Sequence, residues 1–384
     1  MIRSLWAPAA GLLLTLALVG FFLVVRPLDR LTEGVPPREA LVVEASRLRP
    51  DGIELVLRAD GAAPVRIAQV QVDGAYWRFV QEPPGALARL GTVRLFLPYP
   101  WQQGATHHLR LVSATGATFD HTIEVAIATP PLTAATLGLY GLVGLAIGVV
   151  PVAIGLLGWP LLRRLSQDGL GFVLSLTLGL LAFLFLDTFA EALAAAARLP
   201  AALRGEAVVW LATLLVALAL FASGRRGGTV PEAASLAFFV ALGIGLHNLG
   251  EGLAVGAALA TGEAALASFL VAGFTLHNVS EGLGIAAPLV RERPSFAFFS
   301  GLALLAGLPA IVGSWAGAFV ATPLPVTLCF VAAAGAILQV MVELAAWLVR
   351  SETSTSGAGL RLAHLAGFAL GLAVMYATGL WTAV

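Results

Sequence analysis

The sequence contains no lysine, a single cysteine and few charged residues of either sign. Charged residues make up 11% of its 384 residues, against about a quarter in soluble domains. The net charge is zero and no long basic run is present, so nucleic-acid binding is not expected. The lone cysteine, Cys329, excludes a disulfide framework and a CxxC metal motif.

Apolar residues dominate instead, at 59% of the chain, which is typical of a membrane protein. Residues 5–25 form one apolar run between Arg3 and Arg26. At about 20 residues it is long enough to span a bilayer. A cleaved signal peptide is the alternative, but no clear A-x-A cleavage site follows. We therefore favour an uncleaved N-terminal anchor over residues 1–30.

Residues 31–130 differ from the rest of the chain because apolar and polar residues alternate, as in GIELVLRAD and TVRLFLPYP. This period is typical of strands, and Asp51-Gly52, Asp73-Gly74 and Thr115-Gly116 mark turns. Six or seven short strands in about 90 residues predict a small β-sandwich. The stretch YPWQQGATHHLRLVSATGATF resembles the late strands of bacterial Ig-like domains.

Residues 131–384 are almost entirely apolar and divide into eight segments. Each is near the ~20 residues that a spanning helix needs. The sequence therefore predicts an all-α polytopic membrane domain of eight helices, preceded by the anchor and the β-sandwich. The segments are 132–161, 169–196, 206–222, 233–260, 264–290, 295–320, 324–349 and 361–383.

Arginines between these segments indicate the orientation of the chain. Eight lie in alternate loops, and the other loops hold only Arg198 and Arg204. Because cytoplasmic loops carry the excess of positive residues, the β-sandwich and the C-terminus are expected outside the cytoplasm. The chain is then a multi-pass protein of the inner (plasma) membrane. The loops expected in the cytoplasm are 161–169, 222–233, 290–295 and 349–361.

Polar residues recur in a fixed order inside two neighbouring apolar segments. GIGLHNLGEGLAVG in the fourth segment and GFTLHNVSEGLGIA in the fifth both place a glutamate four residues after a histidine, on one helix face. Both histidines lie near the middle of their segments, so antiparallel helices bring the motifs to one depth. A charged side chain there costs ~3 kcal/mol, and a bound cation would offset that cost. The motif residues are His247, Asn248, Glu251, His277, Asn278 and Glu281.

Two nitrogens, two carboxylates and two amide oxygens form a donor set suited to Zn²⁺, Fe²⁺ or Mn²⁺. Asp187 and Glu191, in the outer half of the second segment, could guide a cation at the entrance, and Glu343 in the seventh could act as a ligand at the exit. The alternative is that these polar residues hydrogen-bond one another and hold the helices together.

Both motifs resemble the HNxPEG motifs on the fourth and fifth helices of the ZIP (Zrt-/Irt-like) family of divalent-metal transporters, most closely its bacterial zinc-transporting branch. LGLLAFLFLDTFAEAL and AAGAILQVMVEL resemble the second and seventh helices of that family. The resemblance implies an eight-helix bundle that moves Zn²⁺, or Fe²⁺, Mn²⁺ or Cd²⁺, towards the cytoplasm through a site at the bilayer midplane. It also implies a homodimer, with the metal as substrate and no cofactor.

The chain departs from the family pattern at three positions. Gly250 and Ser280 replace the proline of each motif, and Ala310 stands where the sixth-helix motif GLPE has its glutamate. The family arrangement has two adjacent metal positions. With Glu251 and Glu281 as the only midplane carboxylates, the charge balances one divalent ion, so we predict one tightly held metal.

Two other functions would also use histidine and glutamate residues within a membrane. A membrane metalloprotease would require a motif such as HExxH, whereas this chain has HNxxE, so we do not expect an enzyme. A transport-inactive metal sensor or accessory membrane protein on the ZIP scaffold, with a β-domain that binds a partner, remains the alternative.

Overall fold

The computed structural model describes residues 6–25, 38–224, 232–319, 322–353 and 362–382. Within these ranges the chain is mostly helical and carries two small β-sheets. Arg3 and Arg26, and most of the predicted cytoplasmic loops 222–233 and 349–361, lie outside the described residues.

Residues 41–123 form eight strands in two four-stranded antiparallel sheets. One sheet has the order β1-β2-β6-β5 and the other β4-β3-β7-β8. The eight strands are one or two more than the six or seven predicted, and β5 is too short, at three residues, to show an alternating pattern of its own. The strands are β1 Leu41–Arg49, β2 Gly52–Ala59, β3 Ile67–Val72, β4 Ala75–Trp77, β5 Val80–Glu82, β6 Thr92–Leu97, β7 His107–Ser113 and β8 Thr118–Ile123.

The alternating residues of both sheets face each other and form an apolar core. Leu55, Leu95 and Leu111 are fully buried in it. At the β3–β4 hairpin, Asp73 and Gly74 both have positive φ, of 51° and 82°. This backbone is the one that an Asp-Gly hairpin turn requires.

Helices occupy all eight apolar segments predicted after residue 131. The first segment forms three helices, of which the first two are separated by a π-helical turn at Leu145–Val149 and the last two by a turn at residues 157–158. The helices, with the N-terminal one, are α1 Trp6–Val25, α2 Ala134–Gly144, α3 Val150–Leu156, α4 Trp159–Leu162, α5 Gln167–Ala196, α6 Gly205–Gly224, α7 Ala233–Ala260, α8 Ala264–Ala286, α9 Phe296–Phe319, α10 Pro323–Thr353 and α11 Leu362–Thr382.

Six helical stretches among the described residues are long and apolar enough to cross a membrane, and the protein is therefore membrane-embedded. Leu13–Phe22 in α1 and Leu362–Ala377 in α11 are shorter apolar helices, and α8 is not among the six. The six stretches are Ala134–Leu162, Gln167–Ala196, Ala201–Gly224, Ala233–Ala260, Phe296–Phe319 and Pro323–Val349.

Helix α7 packs closely against α9 because glycines remove the side chains between them. A Cβ on Gly252 would overlap the carbonyl oxygen of Ala310, and a Cβ on Gly313 would overlap that of Leu249. Helix α8 approaches α3 in the same way, with Gly282 against the carbonyl of Val152. Small residues allow such close backbone approach in membranes, and here they hold the two motif-bearing helices against fixed neighbours.

Candidate metal centre

Helix α7 supplies the first two members of the centre. His247 and Glu251 are one helical turn apart, and the Nε2 atom of His247 lies 3.2 Å from Oε1 of Glu251. Their exposed fractions are 6% and 4%, so bulk water solvates little of either side chain. Their spacing of four in the sequence predicts that both lie on one face of the helix, and in the structure they do.

Helix α8 brings a second imidazole to the same carboxylate oxygen. Nε2 of His277, a residue that is 4% exposed, contacts Oε1 of Glu251 directly. One ligand atom from each of His247, Glu251 and His277 lies within 4.8 Å of the other two, which is close enough for one ion to bond all three. Two imidazole nitrogens and a carboxylate form a three-ligand set that leaves a coordination position open.

The two asparagines hold the centre in place through backbone atoms of neighbouring helices. Nδ2 of Asn278 donates to Oε2 of Glu251 at 2.9 Å and to the carbonyl of Ile147 at 2.8 Å. Pro151, four residues later, has no N–H group and cannot donate to that carbonyl. Nδ2 of Asn248 donates to the carbonyl of Ala306 in α9 at 3.0 Å.

Several buried oxygens around the centre have no hydrogen-bond partner among the described residues. They are Oδ1 of Asn248, Oδ1 of Asn278 and both carboxylate oxygens of Glu281. Glu281 is 1% exposed, yet it lies outside the 4.8 Å group formed by the other three residues. A buried acceptor without a donor costs about 1–3 kcal/mol, and more when it is charged. The centre thus has an excess of electron-pair donors, the arrangement that a cation would complete.

A cavity of about 810 Å³, which we call the vestibule, leads to this centre. His247, Glu251 and His277 line its inner end, whereas Arg198, Thr261 and Glu263, from the ends of the α5 and α7 helices, line its mouth. Asn248, Asn278 and Glu281 do not line it. Access to the centre therefore runs from the mouth to the faces of the two histidines.

The acidic residues predicted along the route occupy two different positions. Asp187 and Glu191 line the vestibule wall between its mouth and the histidines, and both are exposed to it. Glu343 on α10 is 1% exposed and does not line the vestibule. The structure thus brings the predicted entrance pair to the vestibule and leaves Glu343 apart from it.

Ala310 lies in an apolar cluster with Ile147 and Val255 and is fully buried. Its methyl group packs directly against Gly148, since a Cβ added to that glycine would lie 2.7 Å from the Cβ of Ala310.

The β-sandwich lies at the same end of the helices as the vestibule mouth. Oδ2 of Asp60 accepts a hydrogen bond of 2.8 Å from the backbone N–H of Ala201, between α5 and α6. The side chain of Ile127, just after the sandwich, contacts Gly262 between α7 and α8.

Two participants lie outside the motifs that the sequence analysis identified. Thr188 places Oγ1 3.3 Å from Nδ1 of His247, but a threonine in an apolar helix is ordinary. The carbonyl of Ile147 could have been suspected as an acceptor because Pro151 cannot donate to it, although its partner on α8 could not.

A scan against protein-family models and a search of curated proteins found no match to this chain.

Proposed function

We propose that the protein is a divalent-metal transporter of the ZIP type, with Zn²⁺ as the first candidate substrate and Fe²⁺, Mn²⁺ and Cd²⁺ as related ones. The observation that carries this proposal is the buried group of His247, Glu251 and His277 at the inner end of the vestibule. Nitrogen and carboxylate ligands suit these borderline cations.

Charge supports a divalent rather than a monovalent ion. Glu251 and Glu281 carry two negative charges when ionised, and the histidines are neutral when they bind a metal through Nε2. One divalent ion neutralises that pair of carboxylates. The buried position of Ala310, in the place of the family glutamate, agrees with a single tightly held metal.

The route within the proposed transporter follows from the placement of the acidic residues. A hydrated cation would enter at the mouth, pass Asp187 and Glu191, and exchange water for the ligands of the centre. Glu281 is the carboxylate next in line along α8, and Glu343 would act nearer the exit. We propose further that eight helices span the inner membrane, that the β-sandwich faces outward and that the chain forms a homodimer.

Uptake into proteoliposomes tests the proposal. The purified chain should accumulate ⁶⁵Zn²⁺ above the level of empty vesicles, and competition with Fe²⁺, Mn²⁺ and Cd²⁺ gives the order of preference. If the protein binds Zn²⁺ but moves none, a transport-inactive sensor or accessory protein becomes the better explanation. The contacts of Asp60 and Ile127 at the vestibule mouth favour that second function, because they would connect a partner of the β-sandwich to the metal centre.

A further inference from the structure

Thr188 differs from several other hydroxyl residues of the helical domain in its hydrogen-bond partner. Its side chain is 4% exposed, and Oγ1 lies 3.3 Å from Nδ1 of His247 on another helix. Several other hydroxyls in these helices instead donate to the carbonyl one turn earlier in their own helix. Examples are Thr177 to Val173, Ser268 to Ala264, Thr275 to Val271 and Thr327 to Pro323.

The partner atom matters because a neutral imidazole has one N–H group and one free lone pair. Nε2 of His247 faces Oε1 of Glu251 at 3.2 Å, so this is the nitrogen that would bind a metal. The proton must then reside on Nδ1, where it needs an acceptor. Among the described residues, Oγ1 of Thr188 is the atom within hydrogen-bond distance of Nδ1.

We propose that Thr188 is a positioning residue of the metal centre. Its hydroxyl oxygen accepts the Nδ1–H of His247, which fixes the ring orientation and keeps the Nε2 lone pair directed at the metal. Histidines that bind metals commonly donate their second ring N–H in this way, and loss of the acceptor weakens metal affinity. The inference rests on the metal binding of the proposed function.

Cobalt binding to the purified full-length chain tests this role, since Co²⁺ suits nitrogen and carboxylate ligands and absorbs visible light when bound. Thr188→Val keeps the shape and the β-branch of threonine but removes the acceptor. We expect its Co²⁺ affinity to fall about 10–100-fold. Thr188→Ser restores the hydroxyl and should recover the affinity and the visible spectrum of the unmodified protein.

Thr213→Val is the matched control. Thr213 is 2% exposed on α6, and its Oγ1 has no partner among the described residues, so removal of its hydroxyl should leave Co²⁺ affinity unchanged. If Thr188→Val proves unstable in detergent, Thr188→Ala removes the same acceptor without adding bulk.

The outcomes separate this inference from the proposed function. If the unmodified chain binds no Co²⁺, both fail. If it binds Co²⁺ and the valine and alanine variants bind equally well, only the role of Thr188 is refuted. An affinity loss that serine does not repair would also refute it, because it would show that packing rather than the hydroxyl is what matters.

Discussion

The β-sandwich and the helical domain each bury a histidine against a carboxylate, but the two regions differ in how many hydrogen-bond donors surround their acidic groups. In the sandwich, Asp73 accepts hydrogen bonds from Nδ1 of His107 at 2.8 Å, the backbone N–H of His108 at 2.8 Å and the hydroxyl of Tyr99 at 2.9 Å. Burial opposes ionisation of Asp73, yet these hydrogen bonds hold its pKa below the usual range. Donors therefore satisfy both oxygens of this carboxylate.

The helical centre has more buried hydrogen-bond acceptors than donors. Glu251 is shared by two imidazoles and one amide, whereas neither oxygen of Glu281 and neither Oδ1 of the asparagines has a partner among the described residues. The comparison teaches that a histidine beside a carboxylate does not define a metal site. An excess of buried acceptors over donors is the stronger indication, because one cation can satisfy several acceptors at once.

We expect the largest difference between the two regions, in Zn²⁺ uptake, from a substitution of the carboxylate that both histidines share. Glu251→Gln keeps the size of the side chain but removes the charge that both histidines contact. We expect Zn²⁺ uptake to fall about 100-fold or more, because loss of even an indirect metal partner costs 10–100-fold. Initial uptake rates in proteoliposomes measure it.

Glu54→Gln provides the control for that variant. Glu54 is also buried, at 7% exposure, but in the sandwich, where it pairs with Arg47 and Arg49. Uptake should be unchanged. Equal losses in the two variants would mean that folding, rather than metal binding, had been disturbed.

A second test concerns the sign of a stability change. Glu281→Leu removes two buried oxygens that lack donors, so the metal-free protein should gain roughly 1–3 kcal/mol in unfolding free energy. Zn²⁺ uptake should be lost in the same variant. Glu54→Gln should instead destabilise the sandwich, because it leaves arginines without their partner.

Thermal unfolding in detergent with a chelator present measures the first effect. A destabilised Glu281→Leu variant would show that Glu281 is satisfied without a cation, and the contrast between the two regions would disappear.

A third test compares one glycine from each region. Gly252→Ala should destabilise the helical domain by about 1–3 kcal/mol, because the new methyl group would overlap the carbonyl of Ala310 in α9. Gly74→Ala in the sandwich meets no atom within 4 Å and should cost only the strain of its positive φ, about 1–2 kcal/mol.

Gly138→Ala, in open space on α2, is the neutral control for that pair. Zn²⁺ affinity should fall only in Gly252→Ala, since that substitution alone separates the helices around the centre. An unaffected affinity would mean that the centre tolerates movement of α7 against α9.

The smallest effect is a pH dependence confined to the sandwich. Burial lowers the pKa of His121 below its ordinary value of 6.5. The unfolded chain therefore binds more protons than the folded one, and stability falls as pH drops below about 6.5. The contribution of Asp73 is lost only below 3.8, so the two do not overlap.

Hydrogen exchange of strands β7 and β8 in the full-length chain, corrected for the exchange rate of unfolded peptides, measures this loss between pH 6.5 and pH 5. His121→Phe should flatten the dependence. An unchanged slope in that variant would assign the effect to another group.

The sequence predicted the members of the centre because their positions are periodic. A spacing of four on α7 places His247 and Glu251 together, and its repeat on α8 locates His277. Composition adds a further indication, since Asn248 and Asn278 are the only two asparagines in the chain.

What the sequence could not predict depends on contacts between distant segments. Glu281 lies outside the group of His247, Glu251 and His277 because of the way α7 and α8 pack, and no local sequence pattern encodes that packing. The same is true of Thr188, whose contact with His247 depends on the fold bringing the side chains of α5 and α7 together. Strand β5, at three residues, is formed by its pairing with β6 rather than by its own pattern.

The most direct test of the central claim is anomalous diffraction at the zinc absorption edge from crystals of the full-length chain prepared with Zn²⁺. We predict one strongly occupied ion, bonded to Nε2 of His247, Nε2 of His277 and an oxygen of Glu251 at about 2.0–2.2 Å. Zinc bound away from these three residues would contradict this prediction, and so would two fully occupied adjacent ions at them.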